Sequence, residues 1–226
     1  MAIERVNVIG AGKVGSAFSA RLRERGVEAG TADPEIVLLC VPDSAIAEVA
    51  QGIDPGPWVG HVSGGTMLAA LDPHARRFSV HPLQTFTRAR GPEQIDGAWA
   101  AVTSDSQDGL GVGLELAELL GLRPFELADE DRPLYHAGAV FAATFLVTLH
   151  EAAAELVTTA GAPAEALSPL MRRTMENGFE PTGPFVRGDR RTIERNLEAI
   201  RARRPELEPL YLKLAEATEA LDGVMP

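Results

Sequence analysis

Gly10-Ala11-Gly12-Lys13-Val14-Gly15 directly follows the apolar run Arg5–Ile9 and opens the stretch Val14–Arg25, where Val14, Phe18 and Leu22 form a stripe at helical spacing. G-x-G-x-x-G is a weak signal alone; a preceding strand and a following helix give it physical content. The first glycine permits a tight turn, the second lets main chain approach a diphosphate, and the third lets helix and strand pack closely. The helix start then presents free N–H groups and a positive dipole end to an anion. Gly10, Ala11, Gly12, Lys13, Val14 and Gly15 are therefore expected to hold a dinucleotide. Lys13, one of two lysines in the chain, stands at the mouth of that turn. The plainer alternative is a glycine turn that merely joins strand to helix.

The rest of the first half keeps the same rhythm. Ile36–Val41 is almost wholly apolar, as a strand buried on both faces should be. Trp58–Val62, Arg77–Val80, Trp99–Thr103 and Arg123–Leu127 are further strands. Helices are predicted over Ala45–Gln51 and Asp108–Leu120. Strands alternating with helices specify βαβ units and a parallel sheet. After Ala128 the pattern becomes helical throughout: Glu130–Ala160, Ala164–Asn177, Asp189–Arg203 and Pro205–Leu221. Small residues (Ala137, Gly138, Ala139, Ala142, Ala143) crowd the long stretch and would let another helix approach. The fold class expected is α/β: a truncated Rossmann-type domain over 1–128, then an all-helical domain over 129–226.

One part of a dinucleotide fold is cut short. An acidic residue normally stands about 20 positions beyond the glycines, at the end of a second strand, to hold the adenosine ribose. Here only Val27–Glu35 separates the first helix from the strand at Ile36. Those residues can hold a stub strand but no crossover helix. Glu28 and Asp33 are the acids nearest the expected spacing, and Asp33-Pro34 reads as the lead-in to the next strand. The adenosine half of NAD or NADP would lose one wall of its pocket.

Composition narrows the partners. The chain of 226 residues carries a net charge of −11. Such a surface repels phosphate backbones and anionic lipid, so neither nucleic acid nor membrane is an expected partner. No run reaches the ~18 consecutive apolar residues of a membrane helix, and the N-terminus lacks a signal-peptide pattern. The single cysteine, Cys40, cannot form an internal disulfide, so a reduced, cytoplasmic setting is expected. Metal-ligand spacings are absent from the sequence, and no metal is expected.

In open α/β sheets, ligands bind beyond the C-terminal strand ends. Val41-Pro42-Asp43, Ser63-Gly64-Gly65 and His81-Pro82 fall at such ends. Val41, Pro42, Ser63 and Gly64 are candidate cofactor contacts, the serine offering a hydroxyl beside exposed N–H groups. His81 is the first candidate acid or base, because its ordinary pKa of about 6.5 lets it exchange a proton near neutrality. His136, early in the long helix, is the second. Each has a structural alternative: a turn for the glycines, a hydrogen-bonded loop or core histidine for His81 and His136. Arg76, Arg77, Arg88 and Arg90 cluster around the His81 segment and could attract an anionic substrate or a 2′-phosphate, or simply be solvated. Asp189 reads as a helix N-cap that could pair with Arg187. Ser63, His81 and Asp43 could also compose a hydrolase triad, but no G-x-S-x-G elbow accompanies them.

GAGKVG (10–15), CVPDSAI (40–46), HVSGGT (61–66), HPLQTF (81–86), YHAGAVFAATFLVTL (135–149) and TGPFVRGDRRTIERNL (182–197) occur in this order. Together they resemble bacterial proteins that join an NADP-binding Rossmann domain to a C-terminal helical domain of unknown function. Those proteins are similar to the phosphogluconate dehydrogenase superfamily, pyrroline-carboxylate reductases and deazaflavin-dependent NADP reductases. The resemblance covers most of the chain. It implies a fold and an NADP or NAD cofactor, not a substrate. The chain departs from it over 27–35 and at Ala143-Thr144, where relatives tend to carry Ser-Asn.

Two functions follow as expectations. One is an NAD(P)-dependent oxidoreductase moving a hydride to or from a small carbonyl or imine substrate, neutral or anionic, acting as a homodimer through the helical domain. The other is a non-catalytic ligand-binding or scaffold protein that kept the fold and lost the cofactor.

Overall fold

In the computed structural model of the chain, residues 3–221 are described. Seven strands form one sheet: β1 (Arg5–Ile9), β2 (Glu28–Ala29), β3 (Ile36–Leu39), β4 (Trp58–His61), β5 (Arg77–Pro82), β6 (Trp99–Thr103) and β7 (Arg123–Glu126). Their order is β2-β1-β3-β4-β5-β6-β7. β1 to β5 run parallel. β6 is antiparallel to β5, pairing Ser79 with Thr103 and His81 with Ala101, a departure from the expected all-parallel sheet. Residues 83–98 between them carry one 3-10 turn, Pro92–Ile95, and no crossover helix, so the chain returns in the opposite sense. Helix α3 (Gln107–Leu120) then crosses over and makes β7 parallel to β6. Ser106 caps α3 by accepting from the Gly109 N–H, and Gly121 closes it with φ 89°.

Side-chain alternation gives the sheet two different faces. On one, Val6, Ile36, Leu38, Phe78, Val80 and Val102 pack against Phe18, Leu22, Leu116 and Leu120 of α1 (Lys13–Glu24) and α3. On the other, Val37, Leu39 and Val59 pack against Ile46 and Ala50 of α2 (Ile46–Gln51), with Leu68 and Leu71. Further along that second face the buried residues turn polar: His61, Ser79 and Thr103. That polar strip lies beneath the candidate site.

The shortened unit is a two-residue strand with a loop instead of a helix. Ala29 pairs with Val6 on one side of β1, and Ile36 pairs with the same Val6 on the other. Because both flanking strands are level, the connection spans only two strand spacings, roughly 10 Å, which six residues cover easily. The Glu35 carboxylate fixes it by accepting from the Glu4 and Arg5 N–H groups at 2.9 and 3.1 Å. These bonds also hold its pKa below the ordinary carboxylate value. Between β2 and β3 the chain supplies no helix to cover this part of the second face. A groove of about 650 Å³, lined by Asn7, Ile9 and Val37 among others, takes that place.

The chain divides into two compact units, residues 1–143 and 144–226. The sheet ends at Glu126, close to the expected boundary at 128, but the first unit continues to Ala143. The continuation is α4 (Arg132–Val140), whose first turn is tied to the sheet by Arg132. A π-helical turn, Phe141–Phe145, separates α4 from α5 (Leu146–Thr159), so the expected helix over 130–160 is continuous in course but not uniform in winding. By length and composition the span Asp129–Thr159 could cross a membrane, although it lacks an unbroken apolar run.

The second unit contains α5, α6 (Leu167–Glu176), α7 (Arg190–Arg203) and α8 (Glu208–Leu221), with no strand among its described residues. Asp189 caps α7, accepting from the Thr192 N–H at 3.1 Å and the Thr192 hydroxyl at 2.7 Å. Those bonds keep its carboxyl below the usual range. Asp189 thus fixes the helix start through Thr192, not through the ion pair with Arg187 considered from the sequence.

Candidate active site

The ends of β1, β3, β4 and β5 bring the expected motifs together. Gly12, Lys13, Val14, Val41, Pro42, Asp43, Ser63, Gly64, His81 and His136 line one cleft of about 410 Å³. Gly10, Ala11 and Gly15 lie on the other side of the turn, beside a second hollow shared with Ser16, Ser19 and Arg23.

The three glycines do different work. Gly10 has φ 117°, and a Cβ there would collide with the Cys40 carbonyl. A Cβ on Gly15 would collide with the Gly10 carbonyl oxygen, so this position lets α1 press on the loop. Gly12 has nothing within 4 Å of where its Cβ would stand. It is the N-cap of α1 and supplies no side-chain cap. The first turn of α1 is therefore uncapped by any Gly12 side chain, which leaves its N–H groups for an anion such as a diphosphate. Among the described residues nothing lies within 4 Å of the Gly12 Cβ position, so the residues present fit a dinucleotide on the diphosphate side.

The adenosine side differs. Glu28 is paired with Arg5, at the far end of β1 from the glycines, about 16 Å away along the strand. It cannot serve as the ribose acid. Ser19 and Arg23 of α1 line the hollow next to the glycine turn.

Ser63 lines the cleft, but its hydroxyl is committed. It donates to Asp43 Oδ2 at 2.7 Å, lies 2.8 Å from the Thr66 hydroxyl and accepts from the Thr66 N–H at 3.0 Å. The side chain is buried and ties the β3 end to the β4 end. The hydroxyl that the sequence offers to a ligand is thus engaged within the protein. This engagement also removes the hydrolase triad, because Ser63 and Asp43 bond each other and His81 bonds Tyr135.

His81 and His136 converge on Gly64. A Cβ at Gly64 would lie 2.6 Å from His136 Cδ2 and 2.8 Å from His81 Nε2, so glycine is needed for both rings to approach the loop. The two rings meet edge to face, 6.0 Å between centroids. His81 Nδ1 lies 2.9 Å from the Tyr135 hydroxyl. Burial, the nearby Arg132 charge and His136 push the His81 pKa down to about 4, Asp43 acting the other way. Burial pushes the Tyr135 phenol up to about 12, against the pull of Arg132. At neutral pH the phenol is protonated and the imidazole neutral. When Tyr135 donates to Nδ1, the ring proton sits on Nε2, facing the Gly64 loop; the opposite tautomer donates Nδ1–H to the phenol oxygen.

Arg132 anchors this arrangement. Its guanidinium is fully buried and donates to the Ser63 and Thr66 carbonyls and to Thr103 Oγ1. Asp129 stands 3.9 Å away and accepts the Leu68 N–H. One arginine thereby fastens the first turn of α4, and with it Tyr135 and His136, to the β4 loop. Sequence reasoning named neither Arg132 nor Tyr135. The available signal was that Tyr135, one of two tyrosines, adjoins His136.

The other expected groups separate. Arg77 is paired with Asp72 and Asp105, and Arg76 lies 4.8 Å above Trp58 and donates to the Gly56 carbonyl. Neither reaches the cleft, so the four-arginine cluster does not hold as a unit. Arg88 and Arg90 line a different pocket, with Lys13. Among the other histidines, His61 is buried with its pKa pushed down to about 3, chiefly by burial, and accepts the Ser63 N–H. His74 Nε2 bonds the Ala50 carbonyl oxygen at 2.8 Å. Burial pushes the Cys40 thiol up to about 12, so it is no thiolate at neutral pH.

A mainly parallel sheet, a glycine turn at its first strand and a helical second unit define a Rossmann-like fold of the type found in NADP oxidoreductases. Residues 98–218 match the family described as Domain of unknown function (DUF2520), and the chain belongs to that family. No curated protein matches the chain. Among solved structures it is similar to a Bacteroides fragilis protein whose assignment as an NADP oxidoreductase is itself provisional: TM-score 0.81, 23% identity, covering 96% of this chain and 98% of that one. A Thermotoga maritima protein gives a TM-score of 0.75 and 23% identity, covering 96% and 99%. The 1-pyrroline-5-carboxylate reductase of Streptococcus pyogenes gives 0.61 and 16%, covering 96% and 98%.

Proposed function

We propose that the protein is a nicotinamide-dinucleotide-dependent oxidoreductase acting on a small carbonyl or imine. The observation that carries this reading is the open turn at Gly12, continuous through one cleft with the imidazole of His81. The N–H groups at the start of α1 would hold the diphosphate, and Lys13 would neutralise part of its charge. The nicotinamide, when bound, supplies or accepts the hydride.

This chain's own residues supply the proton. As the substrate oxygen or nitrogen gains electron density, His81 in its Nε2–H form passes that proton to it while Nδ1 takes the Tyr135 hydroxyl proton, and water then reprotonates the phenolate. Arg132 and the Asp43–Ser63 bond keep the loop rigid, so donor and substrate need little rearrangement. The Bacteroides and Streptococcus proteins, one a provisional NADP oxidoreductase and the other a reductase of a cyclic imine, share this architecture and support the reading.

We also propose a cytoplasmic homodimer built through the helical unit, supported by the exposed Leu170, Met175 and Phe179. The test of function is a panel of small aldehydes, ketones and cyclic imines incubated with protein and NADPH or NADH. Consumption of reduced cofactor above the protein-free rate, with at least one compound, supports the reading. Uniformly blank reactions with both cofactors would count against it.

A further inference from the structure

Beyond the cleft, a pocket of about 270 Å³ lies between α1 and residues 87–94. Three cations line it: Lys13 from α1, Arg88 and Arg90 from the loop. No acidic residue lines it, although acids outnumber bases 32 to 21 in the chain. Its neighbours show what a merely structural arginine looks like here. Arg21, lower on α1, meets Asp96 at 2.8 Å and donates to the Pro92 carbonyl, and Arg77 sits between two aspartates. Lys13, Arg88 and Arg90 have no ion pair among the described residues.

The loop that presents these arginines is built, not slack. Gln94 is buried at its centre. Its Nε2 donates to the carbonyls of Thr87, Arg90 and Gly91, and its Oε1 accepts from the Thr87 N–H at 2.9 Å. Gln84 Nε2 donates in turn to the Gln94 carbonyl at 3.1 Å. The nearest acid in the turn, Glu93, uses its carboxylate on the Gly91 N–H at 3.0 Å. A buried glutamine thus fixes the main chain on both sides of Arg88 and Arg90, while the two guanidinium groups remain exposed and unpaired. Holding like charges together costs free energy unless an anion joins them.

We propose that Lys13, Arg88 and Arg90 form an oxyanion subsite, which takes a phosphate or carboxylate group of a ligand seated in the glycine-turn cleft. Lys13 lines both that cleft and this pocket, so one ligand can occupy both. As a statement about the ligand of the cleft, the proposal rests on the oxidoreductase reading. As a statement about oxyanion chemistry, it stands apart from it. The oxyanion has two sources, a phosphate of the dinucleotide or an acidic group on the substrate.

The test is titration of the ¹⁵N-labelled full chain with inorganic phosphate, malonate and NADPH, following the amides of Lys13 and Thr87–Gly91. Wild type is compared with the double variant Arg88→Gln, Arg90→Gln and with the control Arg76→Gln. Phosphate or malonate should shift these amides in wild type and in the control. The double variant should bind about tenfold more weakly, the loss expected for two exposed charge pairs, with an unchanged melting temperature because the lost groups are unpaired.

If NADPH weakens in parallel, the oxyanion belongs to the dinucleotide. If NADPH is unaffected, it belongs to the substrate. If NADPH does not bind at all but the small anions still depend on both arginines, the subsite stands and the oxidoreductase reading falls. Small anions that leave these amides unmoved, or bind wild type and double variant equally, overturn the proposal.

Discussion

The Tyr135 hydroxyl lies 2.9 Å from His81 Nδ1, across 54 residues of sequence, and this contact couples the phenol's role to the imidazole nitrogen that carries the proton. A neutral ring beside a protonated phenol has two arrangements; in the one that leaves a proton for the cleft, Nδ1 accepts and Nε2–H faces the loop at Gly64. Long-range ¹H–¹⁵N correlation spectra should therefore show the Nε2–H tautomer of His81 in wild type and a tautomer mixture in Tyr135→Phe. Turnover in that variant should fall by about 10- to 100-fold. A wild-type spectrum of the Nδ1–H form would remove Tyr135 as the donor.

The buried histidines make stability depend on pH. His81 and His61 have folded pKa values near 4 and 3, below the unfolded value of 6.5. As pH falls through 6.5 the unfolded chain takes up these protons while the folded one refuses them, so stability declines. With both groups contributing, unfolding free energy should drop by up to about 2.7 kcal/mol per pH unit below about pH 6, before most carboxylates titrate. Urea melts at pH 7, 6 and 5 read this slope directly. His81→Gln should remove about half of it, and a slope that survives His81→Gln undiminished would show that His81 is not the group resisting protonation.

Gly15 has to be glycine for packing, whatever the ligand. A methyl group there meets the Gly10 carbonyl oxygen, a main-chain atom that cannot move aside cheaply. Gly15→Ala should cost about 3 kcal/mol of stability. Denaturant unfolding checks it, and a loss below about 1 kcal/mol would mean that helix and loop are less tightly apposed.

Arg132 should be among the least replaceable residues of the first unit. Arg132→Met leaves the Ser63 and Thr66 carbonyls without their donor and should cost about 3–5 kcal/mol. Lysine should not rescue it, because three acceptors in different directions need the planar fork. Comparable melting temperatures for Arg132→Lys and wild type would contradict this account.

How far the sequence disclosed this arrangement depends on the range of the interaction. The glycine turn was legible because its strand, loop and helix are contiguous, so spacing alone placed Gly10, Gly12 and Gly15. The lost crossover helix was legible too, since residues 27–35 leave no room for one. The direction of β6 was not, because alternation of side chains is the same in either sense and only pairing with β5 fixes it. The engagement of the Ser63 hydroxyl is invisible in the sequence because its partner, Asp43, stands 20 residues away on another strand end. Arg132 carries no distinguishing mark in the sequence. Its acceptors lie 29 to 69 residues upstream, and no local pattern announces such bonds.

The central claim is that the bare main chain at Gly12 receives a diphosphate. Calorimetric titration of NADPH and NADH into wild type and Gly12→Glu tests it most directly, because open space at this position lets the fold tolerate a side chain that would fill the ligand's place. Micromolar binding of at least one nucleotide to wild type, abolished in the variant at an unchanged melting temperature, is the expected result. Absence of heat with both nucleotides at millimolar concentration, or equal affinity in the two proteins, would contradict it.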